Sequence, residues 1–598
     1  MVQNWHSSIE DFEQNPYWVI NRILSEDIRS RAIVSLTADV KITTDLSIQG
    51  RVSIDDISDK FRQRFYASTA PALAGESGRY IDYTYQQTLL YGDLLATYRR
   101  LFGKVTFHMT LGTSINNNTI SRLRYDSKTA SLKYANVFTV ANINMNTSAY
   151  IEEQNRATRQ MQSLFTTIQI GYGDFLFLDV SARNDWSSTL AFTSHESTGF
   201  FYPSLGLAWI MNKTLNLPKW IDLAKLRVSW SRVGNDIPLY ITNPMSYVLA
   251  GGGVQSADAA PFEEMKPEMS NSIELGTEWR FWLDRLYVDL TYYKTNTKNQ
   301  FFKLPAQDGD EYAYRYVNAG NIQNVGVEFS VGGVPVIYKD GKWESKINFA
   351  TNKNKVLRLH AELPVFIYGP RGFSSSYAMK LREGGSFGDI YGKAFKRDEH
   401  GNIVYETEGE KSGLPQVIGE GNTVKVGNAN PDFTLSWSNN LRYKGFSLYL
   451  LLDGRFGGDV LSQTQADMDL FGVTKSTGKA RDRGFVELEG KRITDVKGFY
   501  KGVVGGRAGV TEYYIYDATN IRLRELSIGY ALPDRWMKKS GIFKSIQVNL
   551  VARNLCFLYK RAPFDPDLVL STGSDNQAIE VYGMPTTRNV GFNIYFTF

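Results

Sequence analysis

Short and long connections alternate along this chain between segments in which every second residue is apolar. The C-terminal segment shows the period most clearly, with five apolar side chains on one face: Val590, Phe592, Ile594, Phe596 and Phe598. A period of two indicates a β-strand with one apolar and one polar face. Read along the chain, it predicts 17 strands, near residues 31–41, 46–55, 85–101, 105–118, 156–172, 175–185, 200–212, 224–234, 271–282, 286–303, 325–335, 342–352, 433–443, 446–457, 521–532, 546–556 and 588–598.

The connections constrain the fold more than the strands do. Short links carry hairpin-turn residues, as in Gly173-Asp174, Asp340-Gly341 and Lys444-Gly445. The long links that alternate with them cover 56–84, 119–155, 235–270, 353–432, 458–520 and 557–587. This alternation is typical of a transmembrane β-barrel with short periplasmic turns and long extracellular loops. Eleven residues at about 3.3 Å each, tilted by roughly 45°, rise about 25 Å, which is the height of the apolar band. The sequence therefore predicts an all-β, antiparallel transmembrane barrel.

The parity of the strands predicts that part of the barrel lies outside this sequence. The last strand follows a long link, so it runs from the outside to the periplasm. Counting back through 17 strands, the strand at 31–41 also runs inward. A barrel with two periplasmic ends needs an even number of strands. We therefore expect residues 1–30 to be the remnant of an extracellular loop, and residues 31–598 to form a partial barrel.

Composition excludes several other classes of protein. With 42% apolar and 22% charged residues, and no apolar run of about 18 residues, the chain is not a helical membrane bundle. Its 11 Trp, 35 Tyr and 34 Phe exclude disorder. A net charge of +5 over this length does not suggest nucleic acid as a partner. The single cysteine, Cys556, and five scattered histidines offer no metal site, and no cofactor is predicted.

A set of short segments spread over nearly all of the chain resembles the SusC/RagA-like TonB-dependent transporters of the Bacteroidetes outer membrane. The segments occur in the order of that family. They are Asn15-Pro16-Tyr17-Trp18, Lys266-Pro267-Glu268, Ile273-Glu274-Leu275-Gly276, Asp289-Leu290-Thr291-Tyr292-Tyr293-Lys294-Thr295, Asn318-Ala319-Gly320-Asn321-Ile322-Gln323-Asn324, Gly388-Asp389-Ile390-Tyr391-Gly392, Val426-Gly427-Asn428-Ala429-Asn430-Pro431-Asp432-Phe433, Ile521-Arg522-Leu523-Arg524-Glu525-Leu526, Arg553-Asn554-Leu555 and the terminal Phe598.

The resemblance implies a 22-stranded barrel with an N-terminal plug, so the 17 strands are a part of it. It also implies a SusD-like surface lipoprotein as partner, energy from the TonB complex, and import of oligosaccharides or peptides rather than an enzymatic reaction. A signal peptide, a TonB box and a plug are not recognisable in the sequence. We therefore expect the TonB complex to act only through a plug that is not present here.

Candidate contact residues follow from the strand faces and from the loops. Polar positions predicted to face the lumen are Ser436, Asn440, Arg442 and Asn593, whereas Leu435, Leu448 and Phe592 are predicted to face lipid. Aromatic rings in loops can stack on sugar rings, and two stretches with closely spaced tyrosines are candidates for ligand binding: Tyr312, Tyr314, Tyr316, Tyr513, Tyr514 and Tyr516. The alternative role for these tyrosines is the aromatic girdle of a membrane barrel.

Two further features of the C-terminal strands bear on assembly. The apolar face of residues 521–530 changes parity near Arg524-Glu525, which predicts a β-bulge. The last strand ends in phenylalanine and is amphipathic, which resembles the signal that barrel-assembly machinery reads. Its side chains are Phe592, Ile594, Phe596 and Phe598. The alternative is an ordinary edge strand.

Other functions are weighed against this interpretation. The segment Gly384-Gly385-Ser386-Phe387-Gly388 matches a nucleophile elbow, but no helix follows it, which favours a glycine-rich loop. Asp398 to Asn402 could be a fragment of a calcium loop, although a hairpin turn is the simpler interpretation. A passive porin, a secreted carbohydrate-binding β protein and an outer-membrane hydrolase remain the alternative functions.

Overall fold

The computed structural model describes residues 3, 14–130, 132–145, 149–248, 253–305, 312–371, 376–421, 423–569 and 578–598. Its largest sheet contains 17 strands. In chain order these are β1 Ile23–Lys41, β2 Leu46–Phe65, β3 Arg79–Phe102, β4 Val105–Asp126, β5 Tyr150–Tyr172, β6 Leu176–Ser187, β7 Phe200–Ile210, β8 Ile221–Asn235, β9 Glu268–Phe281, β10 Leu286–Pro305, β11 Tyr314–Tyr338, β12 Gly341–Arg358, β13 Phe433–Tyr443, β14 Phe446–Phe456, β15 Asn520–Ala531, β16 Ser545–Lys560 and β17 Asn589–Thr597.

The number and order of the strands confirm the all-β prediction. Many strands are longer than predicted at their loop ends, and β1 begins at Ile23 rather than near residue 31. A short helix, α1 (Pro16–Arg22), precedes it, with Pro16 in its first turn and Asn15 as its N-cap. The indole N–H of Trp18 donates to Thr69 Oγ1 at 2.9 Å. Residues 1–2 and 4–13 of the predicted loop remnant lie outside the described residues.

Sequential strands pair antiparallel. The registers join β1 to β6 one after another, and they join β11 to β17 in the same way. Residues directly opposite each other in such a pair share a face of the sheet. The registers therefore assign each side chain of these strands to one of two faces.

The chain divides into two compact units. Unit 1 comprises residues 1–206, 231–269 and 299–318. It has a small apolar core under its loops, formed by Leu190, Phe200, Ile237, Ile241 and Met265.

Unit 2 comprises residues 207–230, 270–298 and 319–598. Its largest apolar core lies outside the long strands, in the links 359–432, 457–519 and 561–588, which we call the cap. Among its buried members are Met379, Ile390, Leu461, Phe499 and Tyr514. The cap contains the helices α2 (Gln463–Leu470) and α3 (Lys475–Arg483). Long links that read as loops in the sequence thus fold into a packed structure.

The cap helices are short and begin at polar side chains. Ser462 Oγ accepts the backbone N–H of Gln465 at the start of α2, and Thr474 Oγ1 accepts that of Thr477 at the start of α3. Helix α3 ends at Gly484, which has a φ of +77°, a conformation that glycine adopts without a Cβ clash. A last short helix, α4 (Asp534–Ser540), links β15 to β16. No helix of the described chain is long and apolar enough to cross a membrane.

The bulge predicted near Arg524 is confirmed. In the β14–β15 register, Leu451 lies opposite Glu525 and Leu452 lies opposite Leu523, so Arg524 is the extra residue. The β15–β16 register skips the same position. The bulge accounts for the change of parity, because one inserted residue moves all later side chains to the other face.

Candidate functional site: the polar face of unit 2

Polar side chains line one face of strands β12 to β17. Asn440 on β13 lies opposite Tyr449 on β14, and Asn549 on β16 lies opposite Asn593 on β17. Asn440 Nδ2 also reaches back to β12, where it donates to Glu344 Oε2 at 3.2 Å. Arg227 on β8 and Asp289 on β10 line one concavity together with Ser436 on β13. The face therefore continues beyond β12, and we call the whole of it the polar face.

Three of the four residues predicted to face the lumen line one concavity on the polar face. Its volume is about 610 Å³, and Asn440, Arg442 and Asn593 contribute to its wall. Ser436, the fourth, lines a second concavity of about 340 Å³ together with Asn348 and Asp453. Asn348 Nδ2 donates to Ser436 Oγ at 3.1 Å. The structure thus brings the four residues to one face of the sheet, and their position in a lumen remains a prediction.

Sequence reasoning missed most of the charged residues of this face. Arg553 Nε lies 2.9 Å from Glu525 Oε2, Arg524 Nη2 lies 2.6 Å from Asp453 Oδ2, and Arg227 Nη2 lies 2.8 Å from Asp289 Oδ1. In each of these pairs the positive and negative charges cancel. The surface is therefore strongly polar but gains no net charge from them. Such a surface offers many donors and acceptors to a hydroxylated or amide-containing molecule.

Tyrosines add aromatic surface to the polar face. Tyr449 and Tyr595 line the larger concavity. Tyr287 and Tyr293 on β10 lie against glycines of β11, since a Cβ added at Gly332 would meet Tyr287 Oη at 2.6 Å and one at Gly326 would meet the Tyr293 ring at 2.4 Å. Of these tyrosines, only Tyr595 stands two residues from a polar position already identified, Asn593; Tyr449 meets Asn440 only through the register.

The opposite face is apolar and exposed. Leu448 is 39% exposed and Phe592 is 72% exposed, and Leu435 lies on the same face, opposite Gly454. The terminal strand also presents Ile594, Phe596 and Phe598, and the last two pack against Phe543 at 5.4 and 5.2 Å between ring centroids. A role of these residues in membrane insertion remains a prediction.

Two belts of aromatic rings border this apolar face. At the loop end, Phe433 packs against Phe349 and Phe456 with centroids 5.5 and 4.6 Å apart. At the turn end, Tyr443 packs against Tyr338 at 6.3 Å. Phe433 and Tyr443 begin and end β13. Their separation of ten residues corresponds to about 23 Å of height for a strand tilted by roughly 45°.

The six tyrosines predicted to bind ligand do not form one group. Tyr513, Tyr514 and Tyr516 belong to the cap of unit 2, where Tyr514 is 1% exposed and its hydroxyl donates to Asp469 Oδ2 at 3.2 Å. Burial raises the pKa of all three phenols. The hydroxyl of Tyr514 is therefore not accessible to a ligand in this structure.

The other three tyrosines belong to unit 1. Tyr314 is 37% exposed, and Lys303 Nζ lies 4.0 Å from the centroid of its ring. Tyr316 packs edge-on against Phe301, and Tyr312 is partly exposed. A ligand contact by these side chains remains a prediction.

Carboxylates in the cap are held in two different ways. Burial raises the pKa of Asp469, although its carboxylate accepts hydrogen bonds from Gln465, Thr474 and Tyr514. In contrast, a two-pronged ion pair with Arg397 lowers the pKa of Glu489 at the cap surface. The buried carboxylate is thus fixed by neutral donors and the exposed one by a cation.

The two motifs that suggested other functions are loop structures. Ser386 Oγ accepts from Asn430 Nδ2 at 2.9 Å and contacts the Phe387 carbonyl at 3.3 Å, and no histidine is recorded as its partner in the described chain. Asp398 Oδ1 accepts the backbone N–H groups of His400 and Asn402, both at 2.9 Å, as in a hairpin turn. Among the described residues, no group of three or more His, Cys, Asp or Glu is arranged to hold a metal ion.

A comparison with known families agrees with this geometry. The family model described as TonB dependent receptor-like, beta-barrel matches residues 4–500. The chain belongs to this family. Members are receptors and transporters of the bacterial outer membrane and are not enzymes, so the chain is a multi-pass β-barrel protein of that membrane.

Individual members of the TonB-dependent receptor family are similar over most of this chain. TonB-dependent receptor P3 of Formosa agariphila is 26% identical over 457 residues, which cover 71% of this chain and 43% of that protein. TonB-dependent receptor SusC of Bacteroides thetaiotaomicron is 22% identical over 457 residues, covering 70% of this chain and 44% of SusC. The chain thus spans less than half the length of these relatives.

Solved structures of RagAB are similar in fold. The RagAB peptide importer in its open-open state matches with a TM-score of 0.76 and 16% identity, covering 98% of this chain and 62% of that one. The closed-closed state gives a TM-score of 0.76 and 17% identity, covering 100% and 65%. This likeness identifies the fold as that of a TonB-dependent barrel of the SusC/RagA type.

Proposed function

We propose that the protein imports oligosaccharides or peptides across the outer membrane, as the barrel part of a SusC-like TonB-dependent transporter. The observation that carries the proposal is the polar face of unit 2, on which paired charges, amides and tyrosines cover two neighbouring concavities. An oligosaccharide or peptide would be held on this face by hydrogen bonds and by contacts with aromatic rings, and no covalent bond would form or break.

The chemistry of the polar face fits both ligand classes. Tyrosine rings such as Tyr449 and Tyr595 present flat apolar surface beside the amides of Asn440, Asn549 and Asn593. Sugar rings and peptide groups combine apolar faces with donors and acceptors in the same way. Tyr312, Tyr314, Tyr316, Tyr513 and Tyr516 are further candidates for ligand contact, and Tyr514 is a member of the cap core.

The proposed partners are a SusD-like surface lipoprotein and the TonB complex. The support for them is membership of the TonB-dependent receptor family and the similarity to SusC and to RagAB, which is described as a peptide importer. The TonB complex would act through a plug, since energised transport requires a part that moves within the barrel.

Binding can be tested with the purified protein. We expect saturable binding to members of a panel of neutral oligosaccharides and synthetic peptides, measured by isothermal titration calorimetry. Replacement of both Tyr449 and Asn440 by Ala should weaken that binding at least tenfold. The matched control replaces Leu448 and Leu441, on the opposite face, by Ala. Equal loss of affinity in the two variants would contradict the proposal.

Transport is tested separately from binding. Cells that express the protein from its own gene should accumulate the bound ligand only when TonB is active, and the gene product purified together with the proposed plug should show no steady conductance in a planar bilayer. A passive channel predicts the opposite in both measurements: uptake without TonB, and open conductance that rises with salt.

A further inference from the structure

Four lysines occupy the outward face of unit 2 at the loop end of β10 and β12. They are Lys294, Lys298, Lys353 and Lys355, and all four are exposed. We call them the lysine patch. Neither the polar face nor the cap uses them.

The alternation of the strands places the patch on the apolar side of the sheet. On β10 the lysines continue the outward series of Leu290 and Tyr292, which are 40% and 42% exposed. On β12 they continue the series of Ile347 and Phe349, since Phe349 lies opposite Leu435 on the outward face of β13. The apolar series thus changes to lysine at the same end of both strands.

Strand β11 lies between the two pairs of lysines. Val325 lies directly opposite Lys353, and Gln323 lies opposite Lys355. On its other side, Gln323 Nε2 donates to Asn296 Oδ1 at 3.4 Å, and Asn296 lies midway between Lys294 and Lys298. The lysines of β10 and β12 therefore stand about 10 Å apart, two strand spacings, on either side of β11.

The patch has no acidic partner in the described part of the chain. Within the described ranges no carboxylate forms an ion pair with any of the four ammonium groups, whereas several other lysines are paired. Lys303 lies 2.9 Å from Asp258, Lys342 lies 2.5 Å from Glu344, and Lys425 lies 2.7 Å from Asp389. Four neighbouring unpaired cations on a single face attract a multiply charged anion.

The height of the patch indicates where that anion lies. Lys353 follows Phe349 of the loop-end aromatic belt by four residues, which is about 13 Å along the strand or about 9 Å further from the bilayer centre at a tilt of roughly 45°. Aromatic belts mark the boundary between hydrocarbon and headgroups. The ammonium groups therefore lie at the level of the headgroups of the outer leaflet.

We propose that the lysine patch binds the phosphate of a glycolipid headgroup in the outer leaflet. Lysines near a charged membrane surface attract anionic headgroups, and a flexible lysine stem can lie along the apolar surface while its ammonium reaches the phosphate. The lipid would lie against β10 to β12, with its acyl chains on the apolar face and its phosphate between the lysines.

The experiment compares two fourfold variants of the protein purified from outer membranes into nanodiscs. In the test variant Lys294, Lys298, Lys353 and Lys355 are replaced by Gln. In the control variant Lys213, Lys219, Lys538 and Lys539, which are exposed at the short-connection end, are replaced by Gln. The probe is phosphorylated lipid A, and the molecules retained per protein are counted by native mass spectrometry.

We expect the unmodified protein and the control variant to retain phosphorylated lipid A with at least tenfold higher affinity than the test variant. Dephosphorylated lipid A should bind all three weakly, and inorganic phosphate at the same concentration should not displace the lipid. Equal retention by test and control variants, retention that is indifferent to the lipid phosphate, or full displacement by inorganic phosphate would each overturn the proposal. Binding of oligosaccharides and peptides at the polar face is measured on the same samples. A failure of the lipid proposal can therefore be distinguished from a failure of the proposed import function.

Discussion

Arg524 occupies the extra position of a β-bulge, and its guanidinium lies 2.6 Å from Asp453 on the neighbouring strand. The even-numbered Arg522 and Arg524 both lie on the polar side of β15. After the bulge, this side carries the odd-numbered residues, beginning with Glu525. Arg522 is 2% exposed at its side chain and lies 2.5 Å from Asp565 of the cap link. The bulge thus adds a second arginine to the polar side without disturbing the register with β14, and Arg522 connects the strand to the cap.

Deletion of Arg524 should leave the register of β15 unchanged. Without the extra residue the strand alternates regularly, and Arg522 and Leu523 keep Asp453 and Leu452 opposite them. We expect as much folded protein in the outer-membrane fraction as for Arg524→Gln, which loses the same ion pair with Asp453 but keeps the residue count. The measurement is heat-modifiable migration in gels. A large decrease in the deletion variant alone would show that the bulge itself is required for assembly.

Arginine substitutions at two adjacent leucines should separate the faces of β14. Leu450 lies on the face of Leu526, and Leu451 lies on the face of Glu525. We expect Leu450→Arg to destabilise the folded protein by about 2–4 kcal/mol, since it would expose a charge to hydrocarbon. Leu451→Arg should be tolerated and should alter ligand affinity instead. The measurement is urea unfolding in lipid vesicles, and equal costs at the two positions would contradict the assignment of faces.

Gly326 should not accept a larger side chain. A Cβ at this position would meet the Tyr293 ring at 2.4 Å and the Thr351 carbonyl oxygen at 2.4 Å. We expect Gly326→Val to destabilise the protein by about 1–3 kcal/mol, the usual cost of overpacking. Gly591→Val is the matched control, because a Cβ there has no neighbour within 4 Å among the described residues. A thermal unfolding midpoint that falls equally in both variants would refute this explanation.

Removal of the Tyr514 hydroxyl should loosen the cap. Tyr514→Phe would leave Asp469 Oδ2 without its buried donor, which costs about 1–3 kcal/mol. The measurement is hydrogen exchange of the amides of α2 and of residues 511–514. Tyr405→Phe serves as control, since no hydrogen bond of the Tyr405 hydroxyl is recorded in the part of the cap that is described. If hydrogen exchange is unchanged in Tyr514→Phe, the hydroxyl does not contribute to the stability of the cap.

The Arg397–Glu489 pair should make the cap surface sensitive to acid. Arg397 lowers the folded pKa of Glu489 below its unfolded value of about 4.3. The stabilisation is therefore present above that unfolded value and is lost as the pH falls through the folded pKa. Because both side chains are partly exposed, we expect less than about 1 kcal/mol. Limited proteolysis of the cap between pH 3 and 7 should show the contribution of this ion pair to stability, and Glu489→Gln should abolish that contribution. A pH profile unchanged by that substitution would contradict the assignment.

Much of the candidate site could be predicted. Asn440, Arg442 and Asn593 were found because they alternate with apolar residues on strands of standard length. Tyr449, Glu525 and Arg553 follow the same rule but were not selected, since their polar neighbours belong to other strands and only the register shows which residues meet. Tyr514 illustrates the limit of the approach: its spacing resembled that of an exposed tyrosine series, and its burial depends on contacts with residues 45 positions away.

By itself, the sequence determined the strands, their order, the two faces and the bulge at Arg524, because a period of two is a local property that each strand carries independently of the others. The tertiary structure alone decided that the long links fold into a cap. The helices of the cap have only 8 and 9 residues, too few to form or to be recognised without the packing of distant segments. The pairing of Arg522 with Asp565, and of Arg397 with Glu489, likewise depends on the path of the chain between them.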